Sequence, residues 1–396
     1  MGYLLITGGT GLLGRYLLRD LMDRQQKLAV LVRPSRRQSP HARVESLMQS
    51  WEKICDRSLP RPIVLTGDIC TPDLGLSPTE IKWVVENCDS MLHNAASLSF
   101  VSTGRDAEPW RSNVDGTKNV LEFCDQARIR NFHHVSTAYV AGCRTGLCKE
   151  DELDVGQEFA NPYEESKVEA EKLVRSCSFF DTTTFFRPGI IVGDSESGLT
   201  FTYHNFYAML QIAWTLKQSL TAHLEPDGRT NVSYFRLLAD GTERKNLVPV
   251  DWVSEAMATI IADESLHGKT YHLTPRTPVT TKLMCDVIQE VLNLYGIQFD
   301  PVPADVSTMS DDEKLFYHHM QVYESYWKDD PEYDLTNITA ALPNLPCPHV
   351  DSAMLANMAR VAIAGRFNWR DPRVAADVNL GVPEEVNQPN VVKNPS

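Results

Sequence analysis

The tightest constraint on this chain sits at its beginning, where the apolar run Tyr3-Leu4-Leu5-Ile6-Thr7 passes directly into Gly8-Gly9-Thr10-Gly11-Leu12-Leu13-Gly14. Leu12, Leu13, Tyr16, Leu17, Leu21 and Met22 then recur at helical spacing. A strand, a glycine turn and a helix open a βαβ unit, and Leu28-Ala29-Val30-Leu31-Val32 supplies its second strand. Glycines at these intervals allow a tight turn, close approach of backbone to a pyrophosphate, and close packing of helix on strand. Gly8, Thr10, Gly11, Leu12, Leu13 and Gly14 are therefore candidate dinucleotide contacts.

The end of the second strand says which dinucleotide to expect. An acidic residue there would hold two ribose hydroxyls, but this chain has Arg33, with Arg36 and Arg37 just beyond. A guanidinium suits a 2′-phosphate by charge and by geometry, which points to NADP; the plain alternative is a solvated basic loop. This would be a local basic site in an acidic protein. The formal net charge of -14 argues against nucleic acid or an anionic membrane as the main partner.

Further strands follow in alternation with helices. Pro62-Ile63-Val64-Leu65-Thr66 ends in Gly67-Asp68-Ile69, which places Asp68, with Ile69 after it, at the adenine end of a ligand. Ser90-Met91-Leu92-His93 ends in Asn94-Ala95-Ala96, a small turn that lets backbone approach the dinucleotide. A helix from about 112 to 127 carries Asn113, either a structural polar residue or part of a proton relay. Asn131 to Thr137 is a fifth strand that delivers Thr137 to the crevice, with His133 and His134 as core or edge residues rather than metal ligands; no metal site is expected. The loop 142–160 reads as a solvated connection. Thr184 to Asp194 gives the sixth strand and a bend. The expected fold is α/β: a Rossmann-type doubly wound parallel sheet with a smaller, mixed and mainly helical C-terminal lobe.

Asn161-Pro162-Tyr163-Glu164-Glu165-Ser166-Lys167 reads as a helix start. Asn161 caps, Pro162 suits the first helical position, and Glu164 completes an Asn-x-x-Glu capping box. Tyr163 and Lys167 then share one face, continued by Ala170 and Val174, so an ammonium beneath the phenol would depress its pKa. Glu171 and Arg175 form an outward pair on this reading. Tyr-x-x-x-Lys is a common accident on helices; its weight comes from Thr137 and the cofactor motifs around it.

The chain divides into 1–198 for the dinucleotide, 199–368 as a substrate lobe with some strands returning to the first unit, and 369–396 as a flexible tail. Helices are expected at 203–220, 250–261, 282–295, 310–327 and 351–365, and 231–239 is expected to pair with the strand at 271–274. Arg229, Arg236, Arg244 and Lys245 are loose candidates for a phosphopantetheine or CoA phosphate. No window holds 18 uninterrupted apolar residues, and the first strand begins almost at Met1, so no transmembrane segment or leader is expected and the protein reads as cytoplasmic. Nine cysteines without a Cys-x-x-Cys spacing read as reduced thiols.

Taken in order, Gly-Gly-Thr-Gly-Leu-Leu-Gly, Gly67-Asp68-Ile69, Asn94-Ala95-Ala96, Asn113 with Gly116-Thr117, Ser136-Thr137, Tyr163-x-x-x-Lys167 and Arg187-Pro188-Gly189 resemble the extended short-chain dehydrogenase/reductase superfamily. His93 before Asn94, Gly193-Asp194-Ser195 and Val248-Pro249-Val250-Asp251 look most like its thioester reductase, fatty acyl-CoA reductase and carboxylic acid reductase branch. The epimerases' Arg-x-x-Asn stretch at the sixth strand is missing. The resemblance implies Tyr163 as acid or base, Lys167 as ribose ligand and phenol tuner, Thr137 as hydroxyl partner, Asn113 in a water relay, and Pro188, Gly189 and Ile190 beside the nicotinamide. It implies NADPH-dependent reduction of an acyl thioester to an aldehyde, or by a second hydride on to the alcohol, with CoA or a separate carrier protein presenting the acyl group. The alternatives are an alcohol or ketone oxidoreductase of hydroxysteroid or flavonoid-reductase type, and a non-catalytic NADP-sensing protein. Oligomeric state is left open.

Overall fold

A computed structural model describes residues 2–36, 38–219, 223–224, 230–300, 309–320 and 328–367. Arg37, Arg229, residues 321–327 of the expected helix 310–327, and the tail 369–396 lie outside the described residues.

Seven strands build the main sheet: β1 (Tyr3–Thr7), β2 (Leu28–Val32), β3 (Ile63–Thr66), β4 (Cys88–His93), β5 (Asn131–Val135), β6 (Thr182–Pro188) and β7 (Thr270–Leu273). All neighbours are parallel, in the order β7-β6-β5-β4-β1-β2-β3. Parallel strands buried on both faces need apolar side chains throughout, and β2 is buried at every position. The order reverses between β1 and β4, which opens a crevice at their carboxyl ends.

Helices cover both faces. α1 (Leu12–Asp23), α2 (Pro40–Cys55) and α7 (Val250–Ala262) join one apolar cluster with β1 and β2, while α3 (Pro78–Asn87) and α4 (Gly116–Ala127) share another with β3 to β6. α1 and α7 are also tied by polar contacts: the Ser254 hydroxyl donates to Asp20 Oδ2 at 2.5 Å, and Arg24 donates to Thr259 at 2.9 Å. α5 (Pro162–Arg175) lies between β5 and β6 in sequence. A third cluster is formed by α6 (Phe206–Ser219), α8 (Thr281–Leu292), α9 (Asp311–Met320) and α10 (Ser352–Ala364) with strands Thr230–Leu237 and Leu294–Phe299. Among the described residues no helix is long and apolar enough to cross a membrane.

Two pairings differ from the sequence expectation. Thr230–Leu237 pairs with Leu294–Phe299 in a small separate sheet, not with 271–274. The latter is β7, the edge of the main sheet. A mixed eight-residue strand has no sequence mark for its partner, and the expected helix 282–295 ran into Leu294–Phe299 and masked it. The loop 142–160 is not fully solvated either. Leu147 and Cys148 pair with Glu332 and Tyr333, and Glu150 is buried, accepting from the backbone N–H groups of His272 (3.1 Å) and Asn337 (2.9 Å).

Candidate active site

The glycine loop meets β4 with no room for side chains. Gly8 has φ +71°, and a Cβ there would lie 2.7 Å from the Ala95 nitrogen. Thr7 Oγ1 accepts from the N–H groups of Asn94 and Ala95, both at 3.1 Å, and Asn94 Nδ2 donates to the Gly8 carbonyl at 3.2 Å. Gly14 serves packing: its Cβ would fall 2.1 Å from the Gly8 oxygen. Helix α1 begins after Gly11 with no side-chain cap, leaving its first N–H groups facing the crevice. This side-chain-free cradle, ending in uncapped amides, fits a dinucleotide pyrophosphate.

A cleft of about 1010 Å³ runs from this loop to α5. It brings together Gly8, Thr10, Gly11, Leu12, Leu13, Arg33, Asp68, Ile69, Asn94, Ala95 and Ala96, and at the other end Thr137, Tyr163, Lys167, Pro188, Gly189 and Ile190. Gly14, Arg36 and Asn113 do not line it. Arg36 is exposed beyond the rim. Asn113 is buried in a π-helical turn, Arg111–Asp115, that leads into α4. Its amide brackets Ser97, accepting from the Ser97 N–H at 2.8 Å and donating to the Ser97 carbonyl at 3.1 Å, and donates to Ser166 Oγ at 2.9 Å. In this arrangement Asn113 joins the β4 loop to α5.

Sequence reasoning missed Arg43. It lines the cleft from the first turn of α2, where Ser39 caps the helix and Pro40 starts it. Its guanidinium donates to Thr10 Oγ1 (3.0 Å) and to the Arg33 carbonyl (3.1 Å). Burial, and then the charge of Arg33, lower its pKa, a sign that the two cations lie close together at this end of the cleft. The Ser39-Pro40 helix signature was the available signal, because a helix following β2 must point its first turn back at the glycine loop.

At the α5 end of the cleft Asn161 caps the helix, its side chain accepting from Glu164 N–H at 3.1 Å. The expected box is modified: Glu164 Oε2 accepts from Ala160 N–H at 2.9 Å, one residue before the cap. Tyr163 and Lys167 share the buried face with Ala170 and Val174. Lys167 Nζ donates to the Val135 carbonyl at 2.8 Å, and burial lowers its pKa to about 8, against a smaller upward pull from Glu171. Tyr163 departs from the sequence expectation: burial raises its pKa to about 12, partly offset by a hydrogen bond with Thr137. Desolvation of the phenolate dominates, and the Lys167 ammonium is bonded to the Val135 carbonyl of β5 rather than to the phenol. Thr137 Oγ1 accepts from Tyr139 N–H at 3.2 Å and donates to the Pro188 carbonyl at 3.4 Å.

Glu171 is fully buried rather than outward. It receives Arg187 through Nη2 at 2.6 Å and Nε at 3.1 Å, and Arg175 at 2.7 Å. Burial pushes the Glu171 carboxyl up, but the two guanidiniums outweigh it and hold it below the ordinary range. This cluster fixes α5 to β6. The motif pieces at 193–195 and 248–251 also meet: the N–H and hydroxyl of Ser195 donate to Asp251 at 2.8 and 2.5 Å, beside the parallel pairing of Ile190–Val192 with Leu247–Pro249. His133 and His134 are buried in the sheet and burial keeps them neutral. No group of metal-ligating side chains occurs among the described residues.

The sequence profile of the male sterility protein family matches residues 6–257. Over 293 residues the chain is 28% identical to the nonribosomal peptide synthetase asaC of Aspergillus flavus, covering 70% of this chain and 26% of that protein. Over 413 aligned positions it is 26% identical to the L-2-aminoadipate reductase large subunit of Penicillium chrysogenum, covering 96% and 26%. The chain thus spans about a quarter of the length of these curated relatives. Among solved structures, the terminal R domain from the myxalamid PKS-NRPS biosynthetic pathway superposes with TM-score 0.73 at 25% identity, covering 93% of this chain and 92% of that one. The chain therefore belongs to the male sterility protein family, in the thioester reductase branch of the extended short-chain dehydrogenase/reductase superfamily.

Proposed function

We propose that this protein uses NADPH to reduce the carbonyl of an acyl thioester, presented by CoA or a carrier protein, to an aldehyde. The observation that carries the reading is the meeting of Thr137 with a Tyr163 phenol whose pKa is about 12, at the Pro188-Gly189-Ile190 end of a dinucleotide cleft. The reductases and R domain among its relatives support it. Arg33 and Arg43 would hold the 2′-phosphate, the glycine loop the pyrophosphate, Asp68 and Ile69 the adenosine end, and Lys167 the nicotinamide ribose through the two ammonium protons that Val135 leaves free. The bound nicotinamide supplies the hydride.

The chain's own groups do the rest. Tyr163 stays a neutral acid at physiological pH, as reduction requires. With Thr137 it donates hydrogen bonds to the carbonyl oxygen as negative charge develops, and Tyr163 then gives up its proton to that oxygen. The resulting hemithioacetal collapses: the hydroxyl proton leaves, the C–S bond breaks, and the thiolate is protonated, so thioester, hydride and one proton give aldehyde and thiol. Lys167, a cation at neutral pH, stabilises the transient phenolate. We assign Asn113 a positioning role, through Ser97 and Ser166.

NADPH oxidation and thiol release with a panel of acyl-CoA and acyl-carrier substrates test this. Tyr163→Phe should lower kcat by about 10³-fold while leaving the NADPH Kd near wild type. Turnover of ketones with no thiol release from any thioester would overturn the reading in favour of a ketone reductase, and NADPH binding with no turnover of either would favour a cofactor sensor.

A further inference from the structure

The segment after β4 forms an arch over the catalytic tyrosine. One foot is Ser97, held at both main-chain groups by Asn113. The other is Arg105, whose guanidinium donates twice to Glu169 (3.1 and 2.7 Å) and lies 3.8 Å over the Trp110 ring. Between the feet, Leu98-Ser99-Phe100-Val101-Ser102-Thr103 carries no charge. Leu98 and Phe100 line the cleft, and the Phe100 ring packs edge-on against Tyr163 with centroids 5.6 Å apart. Leu98 and Val101 are 48% and 61% exposed, two of the few large apolar side chains left in water. Across the mouth stand Thr202, His204 and Asn205.

We infer that Phe100 and Leu98 are the specificity-determining wall for the group attached to the reacting carbonyl, and that this group is an uncharged, apolar chain. The inference rests on the thioester reading for the leaving thiol but not for the wall. A carbonyl oxygen placed between Thr137 and Tyr163 leaves its substituent beside Phe100, because that ring adjoins Tyr163. An alkyl chain running outward then crosses Leu98 and covers surface that is otherwise wet, whereas the ammonium of an aminoacyl group would be desolvated there with no carboxylate on residues 97–104 to pair with it. The wall thus stands beside Tyr163 before any substrate arrives, held at Ser97 by the buried Asn113 amide and at Arg105 by an exposed ion pair with Glu169.

The experiment uses two ladders, straight-chain acyl-CoA thioesters from four to twelve carbons and n-alkanals of matching length, with wild type, Phe100→Ala and Leu98→Asp. The second variant sits at the exposed rim, so its folding is not at risk. In wild type, kcat/KM should rise about threefold per methylene while the chain lies along the wall. Leu98→Asp should flatten the long end of both ladders and lower the longest member about tenfold, with the NADPH Kd, followed by quenching of its fluorescence, unchanged; Phe100→Ala should flatten the short end. Thioesters reduced with the same length profile in all three proteins would overturn the wall. Alkanals showing the profile while no thioester is reduced would keep the wall and overturn the thioester reading. Reduction of neither class would overturn both.

Discussion

The two ends of the cleft handle charge in opposite ways. At the adenosine end Arg33 is exposed and Arg43 faces the cleft, with no carboxylate bonded to either guanidinium among the described contacts. At the nicotinamide end Lys167, Glu171 and Arg187 are 3%, 0% and 1% exposed, and Glu171 and Arg187 are fully engaged with protein. On the proposed reading, charges at the first end act on the cofactor's phosphate through water, whereas Glu171 and Arg187 act on the scaffold and the Lys167 ammonium keeps donors to spare. Removing a charge should therefore change affinity at one end and stability at the other, downward for a paired charge and upward for one that is buried without a carboxylate bonded to it.

The largest break should come from Glu171→Ala, which strands the Arg187 guanidinium in the sheet. Loss of one partner of a buried pair costs about 3–5 kcal/mol, so thermal melts should show a steep fall in Tm. An unchanged Tm would mean that the cluster does not hold α5 on β6. Lys167→Met should go the other way. The ordinary lysine pKa is 10.5 and the folded value is about 8. Below pH 8 both states carry the proton and the full penalty of burying it applies; as pH rises from 8 to 10.5 the folded state has already lost the proton and the penalty fades. The variant should thus be more stable at pH 7 by up to about 3 kcal/mol, with the gain gone above pH 10.5, and catalytically dead. A gain that does not change across that window would place its origin in packing rather than charge.

Arg43→Ala should have the smallest effect and the most selective. The NADPH Kd should rise about tenfold or somewhat more, with NADH binding nearly untouched and the melting curve unchanged. Because this end is wet, raising salt should weaken NADPH binding to wild type more than to the variant. Equal losses for both cofactors would remove the 2′-phosphate assignment.

What was legible in the sequence followed from how local each signal is. Strand, glycine turn and helix at 3–23 are set by neighbours within twenty residues, and so is the cap that starts α5 at Asn161. Glu171 was misread because helical spacing reveals a face but not what lies against it; Arg187 arrives on β6. Glu150 looked like one more carboxylate in an acidic loop until His272 and Asn337 supplied its donors. The Tyr163 pKa went the other way for the same reason: the pairing with Lys167 is local, but burial is a property of the whole fold. Phe100 carried no motif, and only the path of the arch brings it to Tyr163.

The seventh strand has a consequence for how the chain is made. β6 ends at Pro188 with its last five residues buried, yet the strand that pairs along its outer side is not synthesised until Thr270–Leu273. During translation at roughly 5–20 residues per second, a nascent sheet with the first six strands in place spends several seconds with that edge unpaired. α1 waits over the same interval for α7. Such an edge invites pairing with a neighbouring chain, so yield in a heterologous host should depend on chaperone supply and on translation speed between codons 189 and 273 more than on any residue in the cleft.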